Sequence, residues 1–315
     1  MLFKIYPTVR KSSLLRILNL FFPWFTTEQT PLLIVGEGRS GTSWIGQTLG
    51  QASNAIYYRE PCHPNKMGWG EEIAWSTYLK PGEIDHYFTP SLDAAFKGLI
   101  TRGQQWSWSK YLRRITPGYK VVIKEVAAFM SLEWIVERYH PDVLVVIRHP
   151  CAVALSNKNR NAFVSEQQRI ERLLENQLLV DEHLDLKTIS VLKQVTTPLE
   201  VYAASWAVKN KIFVNAMNRH PQWQVISYEQ LCQSPMKTFR SIFERYQLDW
   251  NEDVRQFIAQ TTTNEVVDPF AISRVTEQQI DKWKTAMTKA EVAEVKNIVE
   301  PFELPFYNSE SDWAC

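Results

Sequence analysis

Short apolar runs alternate with longer amphipathic stretches along most of this chain. Leu32–Val35 and Asp142–Ile147 are near-continuous apolar runs of the kind a fully buried strand needs. Ala55–Tyr58, Lys120–Lys124 and Gln224–Ser227 read as further short strands. Helices are expected over Ser43–Leu49, near Ser131–Tyr139, after Pro150, and across much of 166–219 with a break at Thr197-Pro198. Three more are expected at about 235–246, 251–260 and 276–299. Residues 61–118 read as irregular, interrupted by Pro61, Pro64, Pro81, Pro90 and Pro117. Strands alternating with helices predict an α/β fold. Its three layers, α/β/α, would surround a central, mostly parallel sheet of about five strands, with helical and irregular insertions. A length of 315 residues suits one large domain, expected over 31–300, with an N-terminal segment 1–30 and a tail 301–315.

Sheets of this kind bind ligands at the carboxyl ends of their strands. The first run leads there into Gly36-Glu37-Gly38-Arg39-Ser40-Gly41-Thr42-Ser43-Trp44. A strand, a tight glycine turn and a helix start bring backbone N–H groups to one spot and make an anion cradle. Gly36, Gly38 and Gly41 let the backbone approach, Thr42 and Ser43 add hydroxyls, and Arg39 adds charge. Gly36 and Gly41 have the spacing of the triphosphate loop G-x-x-x-x-G-K-[ST], but Thr42 stands where its lysine belongs. The cation sits inside the loop instead, which points to a phosphate-bearing nucleotide without bound magnesium. A second anion site follows the run ending at Ile147. Arg148 sits at the strand end, and Ser156 lies eight residues on, about two helical turns away. Alone, Arg148 reads as a surface ion-pair partner; with the glycine loop it predicts a ligand carrying two separated anionic groups.

Composition narrows the picture. A formal net charge of +1 gives no global attraction to nucleic acid, so anion binding must be local. Cys62, Cys151, Cys232 and Cys315 are widely spaced without a C-x-x-C pair, which argues against a zinc site or disulfide framework and fits a reducing cytoplasm. Leu14 to Phe25 is too short and too interrupted to span a bilayer. Basic and aromatic residues within 1–25 make that stretch a candidate for peripheral membrane contact, with packing on the domain the favoured alternative. Among 12 tryptophans, Trp69, Trp75, Trp106 and Trp108 either face a cleft as sugar-stacking surfaces or fill gaps under a long irregular segment.

On these residues the chain resembles the sulfotransferases that use 3′-phosphoadenosine 5′-phosphosulfate (PAPS). Arg39-Ser40-Gly41-Thr42-Ser43-Trp44 is similar to their 5′-phosphosulfate loop, with arginine where many soluble members carry lysine and many carbohydrate-modifying members carry arginine. The resemblance places Arg148 and Ser156 on the 3′-phosphate and Trp44 against adenine. Lys124, twenty-four residues before Arg148, falls on the transferring sulfuryl group. Tyr228, opening Tyr228-Glu229-Gln230-Leu231, would lie near adenine, and Arg274 with Lys282-Trp283-Lys284 would close over the nucleotide. It implies a P-loop-like fold, PAPS as sulfuryl donor, no metal and a hydroxyl-bearing acceptor.

One departure shapes the catalytic expectation. Val126 stands where aryl and steroid members carry a catalytic histidine. Glu60 is then the first candidate base and His63 the second, because several carbohydrate sulfotransferases use a glutamate at about this distance after the loop. The plainer alternative is that Glu60 only pairs with Arg59 or another cation. The missing histidine and the loop arginine lean toward a carbohydrate or glycolipid acceptor. Two other classes share the expected fold: a P-loop kinase or other nucleoside-triphosphate enzyme, and a non-catalytic nucleotide-binding module. The first lacks its loop lysine and a metal-holding aspartate; Lys124 and Glu60 speak against the second.

Overall fold

Five short runs form one parallel sheet. The computed structural model describes residues 28–64, 75–99, 113, 118–158, 163–263 and 279–314. Its strands are β1 (Leu32–Val35), β2 (Ala55–Arg59), β3 (Lys120–Glu125), β4 (Asp142–Ile147) and β5 (Gln224–Ser227), in the order β2-β3-β1-β4-β5. All neighbouring pairs are parallel. β1 lies between β3 and β4 with all four side chains 0% exposed, which is why its sequence is apolar at every position. Leu33 and Val35 enter the core on one face, Leu32 and Ile34 the core on the other.

The helices are α1 (Thr42–Leu49), α2 (Thr89–Phe96), α3 (Leu132–Tyr139), α4 (Pro150–Lys158), α5 (Phe163–Glu175), α6 (Gln177–His183) and α7 (Leu186–Gln194). They continue with α8 (Pro198–Met217), α9 (Tyr228–Gln233), α10 (Pro235–Arg245), α11 (Glu252–Thr263), α12 (Lys282–Ala286) and α13 (Lys289–Val299). Residues of α1, α10 and α11 cover the Leu32–Ile34 face. Residues of α2, α3 and the end of α8 cover the other face. The middle of α8 packs in a further apolar cluster with α4 and α13. The result is the expected three-layer α/β/α arrangement, with a sheet that is wholly parallel.

Two local expectations are corrected. Residues 61–118 contain α2, because Pro90 occupies its first turn rather than breaking it. The Asp85 carboxylate accepts from the Phe88 and Thr89 N–H groups at 2.6 and 2.9 Å and satisfies that helix start. The expected helix over 276–299 is two helices within the described residues. Thr288 separates them by capping α13, with Glu291 reaching back to its N–H. Among the described residues no helix is long and apolar enough to cross a membrane. The candidate membrane segment 1–25 lies outside them, as do Trp69, Trp106, Trp108 and Cys315.

Candidate active site

The glycine loop is shaped by close approach. A Cβ at Gly36 would collide with the Val146 carbonyl of β4, and one at Gly41, where φ is 90°, would collide with the Tyr228 ring. α1 then starts at Thr42 with no side-chain cap, so its first N–H groups are directed at the loop's concavity. Arg39 adopts a φ of 74° within the turn. Its Nε donates to Ser156 Oγ of α4 at 2.9 Å. Arg148 Nη1 donates to the Arg39 carbonyl at 3.0 Å. The two anion sites read from separate parts of the sequence therefore form one continuous patch.

Tyr228 opens α9 at the end of β5, with its ring centroid 4.2 Å from the Arg148 guanidinium carbon. Ser40 Oγ and Arg148 Nε are buried and have no hydrogen-bond partner among the described residues. Buried polar atoms are nearly always partnered, so these two donors fit an incoming anionic group. Trp44 is 4% exposed. Its Nε1 donates to Thr261 Oγ1 at 3.0 Å, and its ring meets Phe239 and Tyr228 edge-on at 5.2 and 6.3 Å. Trp283 of α12 stacks on His149, beside Arg148. Arg274 lies outside the described residues.

The candidate catalytic pair sits at the ends of β2 and β3. Lys124 is in register with Arg59 on one side and Ile34 on the other. The chain leaves β2 through Glu60, whose φ is 48° and whose N–H donates to the Lys124 carbonyl at 2.6 Å. This turn brings the Glu60 carboxylate onto the Lys124 ammonium in a hydrogen-bonded ion pair. Lys124 is nearly sealed, while Glu60 keeps 14% of its side chain exposed. Burial alone would raise the Glu60 pKa. The Lys124 charge and hydrogen bond, with His63 and Arg59, outweigh it and hold the carboxyl below its ordinary range. Burial pulls the Lys124 ammonium below its ordinary value, only partly offset by Glu60. His63 Nε2 is 4.0 Å from the second Glu60 oxygen, and its ring stands edge-on to Trp75 at 5.7 Å.

Two charged residues were not anticipated. Glu125 is 0% exposed. It accepts from the Cys62, Val126 and Ala127 N–H groups at 2.8, 2.8 and 2.7 Å, tying the loop after β2 to the end of β3. Burial raises its pKa despite those bonds. Lys209 of α8 pairs with Glu37 inside the glycine loop, Nζ to Oε2 at 2.8 Å. A lysine within a helix that is apolar on all sides is the sequence signal that could have found it.

A family model described as "Sulfotransferase family" matches residues 31–252. Among solved structures, the sulfotransferase domain from the curacin biosynthetic pathway is 16% identical, with 89% of this chain and 100% of that chain covered at a TM-score of 0.47. The sulfotransferase domain of the Synechococcus PCC 7002 olefin synthase is 14% identical, with 88% and 98% covered at a TM-score of 0.46. Mouse sulfotransferase SULT7A1, complexed with PAP, is 14% identical, with 95% and 91% covered at a TM-score of 0.42. No curated protein matches the sequence.

Proposed function

The chain belongs to the sulfotransferase family, its chemistry is sulfuryl transfer, and we propose that it takes the sulfuryl group from PAPS and passes it to a hydroxyl on a carbohydrate or glycolipid. The observation that carries the choice of PAPS is the single patch joining Arg39, Ser156 and Arg148. A nucleotide with anionic groups at both its 5′ and 3′ positions fits such a patch. PAPS supplies an activated sulfuryl group; everything else is the protein's work. Ser40, Gly41, Thr42, Ser43 and the α1 N-terminus hold the 5′ end. Arg148 and Ser156 hold the 3′-phosphate. Tyr228 and Trp44 form the aromatic side of the base site, and Arg274 belongs to the segment that closes over it.

Lys124 and Arg39 neutralise the charge that develops on the leaving phosphate and the sulfuryl oxygens. As Lys124 turns to that charge, Glu60 loses its counter-ion, and its buried setting then raises its proton affinity. Glu60 takes the acceptor hydroxyl's proton, with the His63 ring near its second oxygen. Trp75 beside His63 gives a sugar ring an apolar face at the same end of the sheet. Val126 in place of a histidine and arginine in the loop support the carbohydrate or glycolipid choice.

Calorimetric titration with adenosine 3′,5′-bisphosphate, beside ADP and ATP with and without magnesium, tests the PAPS assignment. A metal-independent preference for the bisphosphate is expected, and a preference for magnesium-ATP overturns it. Transfer of labelled sulfate in an acceptor screen begun with sugars and glycolipids tests the acceptor. Transfer confined to phenols or sterols removes the carbohydrate choice.

A further inference from the structure

We infer that the C-terminal segment 300–314 belongs to the nucleotide site: through Tyr307 and Glu229 it positions Arg148 and so sets the preference for a 3′-phosphorylated nucleotide. This rests on the PAPS assignment above. Tyr307 is a positioning residue here, acting through Glu229 and the backbone.

β4 ends at Ile147, and the next two residues form a corner fixed from several sides. Trp206 Nε1 of α8 donates to the Arg148 carbonyl at 3.1 Å. The His149 N–H donates to Glu229 Oε1 at 3.0 Å. Tyr307 OH donates to the other oxygen of Glu229 at 2.7 Å. One carboxylate thus bridges the corner and the C-terminal segment. Glu229 directly follows Tyr228, whose ring lies against the Arg148 guanidinium. Holding the first turn of α9 therefore fixes both the ring beside that guanidinium and the peptide group that follows it.

Tyr307 is itself held. Its φ is 54°, and its carbonyl accepts from Trp313 Nε1 at 2.8 Å. Trp313 ends a short 3₁₀ turn (Glu310–Trp313) that Ser309 and Asp312 cap reciprocally. The His149 ring closes the assembly. Trp283 stacks on it at 4.3 Å, and Tyr307 and Trp313 meet it edge-on, each at 4.9 Å. Burial pushes this imidazole down to about 3, so it serves as an uncharged packing group. The segment lies beyond the residues that the family model matches, 31–252.

Tyr307→Phe keeps the ring against His149 and deletes only the hydroxyl. Calorimetric affinities for adenosine 3′,5′-bisphosphate and for AMP are measured in wild type and variant, with thermal unfolding in parallel. The expected result is a fall of about tenfold in the bisphosphate preference over AMP, on the scale of one lost charge-assisted hydrogen bond, with AMP weakened much less than the bisphosphate. An unchanged preference in a folded variant, or equal weakening for both nucleotides, overturns the inference and leaves the segment as packing. Should Tyr307→Phe not fold, Glu229→Gln is judged by the same ratio. Wild-type protein with no preference for the bisphosphate removes the PAPS assignment, and this inference with it.

Discussion

Two largely buried lysine–glutamate pairs lie toward the carboxyl edge of the sheet, and they differ in their access to solvent. Lys209 and Glu37 join α8 to the glycine loop, with only 5% and 9% of their side chains exposed. Lys124 and Glu60 join two strand ends, with 3% and 14% exposed. Glu37 is closed in by the helix that covers it. Glu60 sits on a left-handed turn at the rim, with the Arg59 guanidinium and the His63 ring also near it. A pair with so little solvent access is a fastening, because removing either partner takes the counter-ion from a buried charge. A pair at the rim can exchange one partner for a ligand. The chemistry of the side chains is the same; under the proposed function, access is what separates the scaffold pair from the catalytic one.

The strongest way to break this comparison is to neutralise each glutamate. Glu60→Gln is expected to lower kcat by about 10²–10⁴-fold with nucleotide affinity nearly unchanged, as loss of a general base does. Glu37→Gln is expected to act on folding and loop geometry instead. If steady-state kinetics give Glu37→Gln the larger kcat loss at unaltered bisphosphate affinity, the roles are reversed. Next come the lysines. Lys209→Met is expected to destabilise the fold by about 3–5 kcal/mol in urea unfolding, since it removes the cation that Glu37 meets in a buried setting. Lys124→Met is expected to cost less, because Glu60 reaches water and keeps His63 and Arg59 nearby. Equal losses would erase the distinction.

A smaller effect isolates the phosphate corner from both pairs. Arg148→Ala is expected to weaken adenosine 3′,5′-bisphosphate by about 10–100-fold, the worth of a charge-assisted contact, and to leave AMP nearly untouched. Equal weakening of both would move the 3′-phosphate away from Arg148.

The parts of the molecule that the sequence made legible are those with local causes. Asp142–Ile147 and Gln224–Ser227 are strands with the boundaries expected of them, because short apolar runs between helices have few other uses. The glycine turn was legible for the same reason: strand, spacing and helix start are consecutive. Contacts made by sheet order were not. That Glu60 pairs with Lys124 follows from β2 lying beside β3, and alternation of elements does not fix which strands are neighbours. α2 was missed because a proline in a first turn looks like a proline that breaks a helix. Glu125 and Lys209 were missed because a charged side chain normally marks a solvated face. Their burial depends on partners contributed by distant segments: the Cys62 N–H for one, Glu37 for the other.

The smallest expected effect is on stability in acid, and it has opposite signs at two adjacent carboxylates. Glu60 is held below its ordinary value of 4.5 because Lys124, His63 and Arg59 outweigh burial. A carboxylate lowered in the folded state contributes stability above its unfolded pKa and loses it as pH falls through the folded value. Glu125 is raised above 4.5 because burial outweighs its three N–H bonds. It costs stability while ionised, and that cost is relieved as pH falls through its raised folded value toward 4.5. Urea unfolding from pH 7 downward therefore separates the two. Glu60→Gln should lose less stability than wild type below pH 4.5, whereas Glu125→Gln should lack a gain that wild type shows above it. Parallel acid curves for Glu60→Gln and wild type would mean that Lys124 does not hold Glu60 as an anion. The rim pair would then be no more exchangeable than the sealed one.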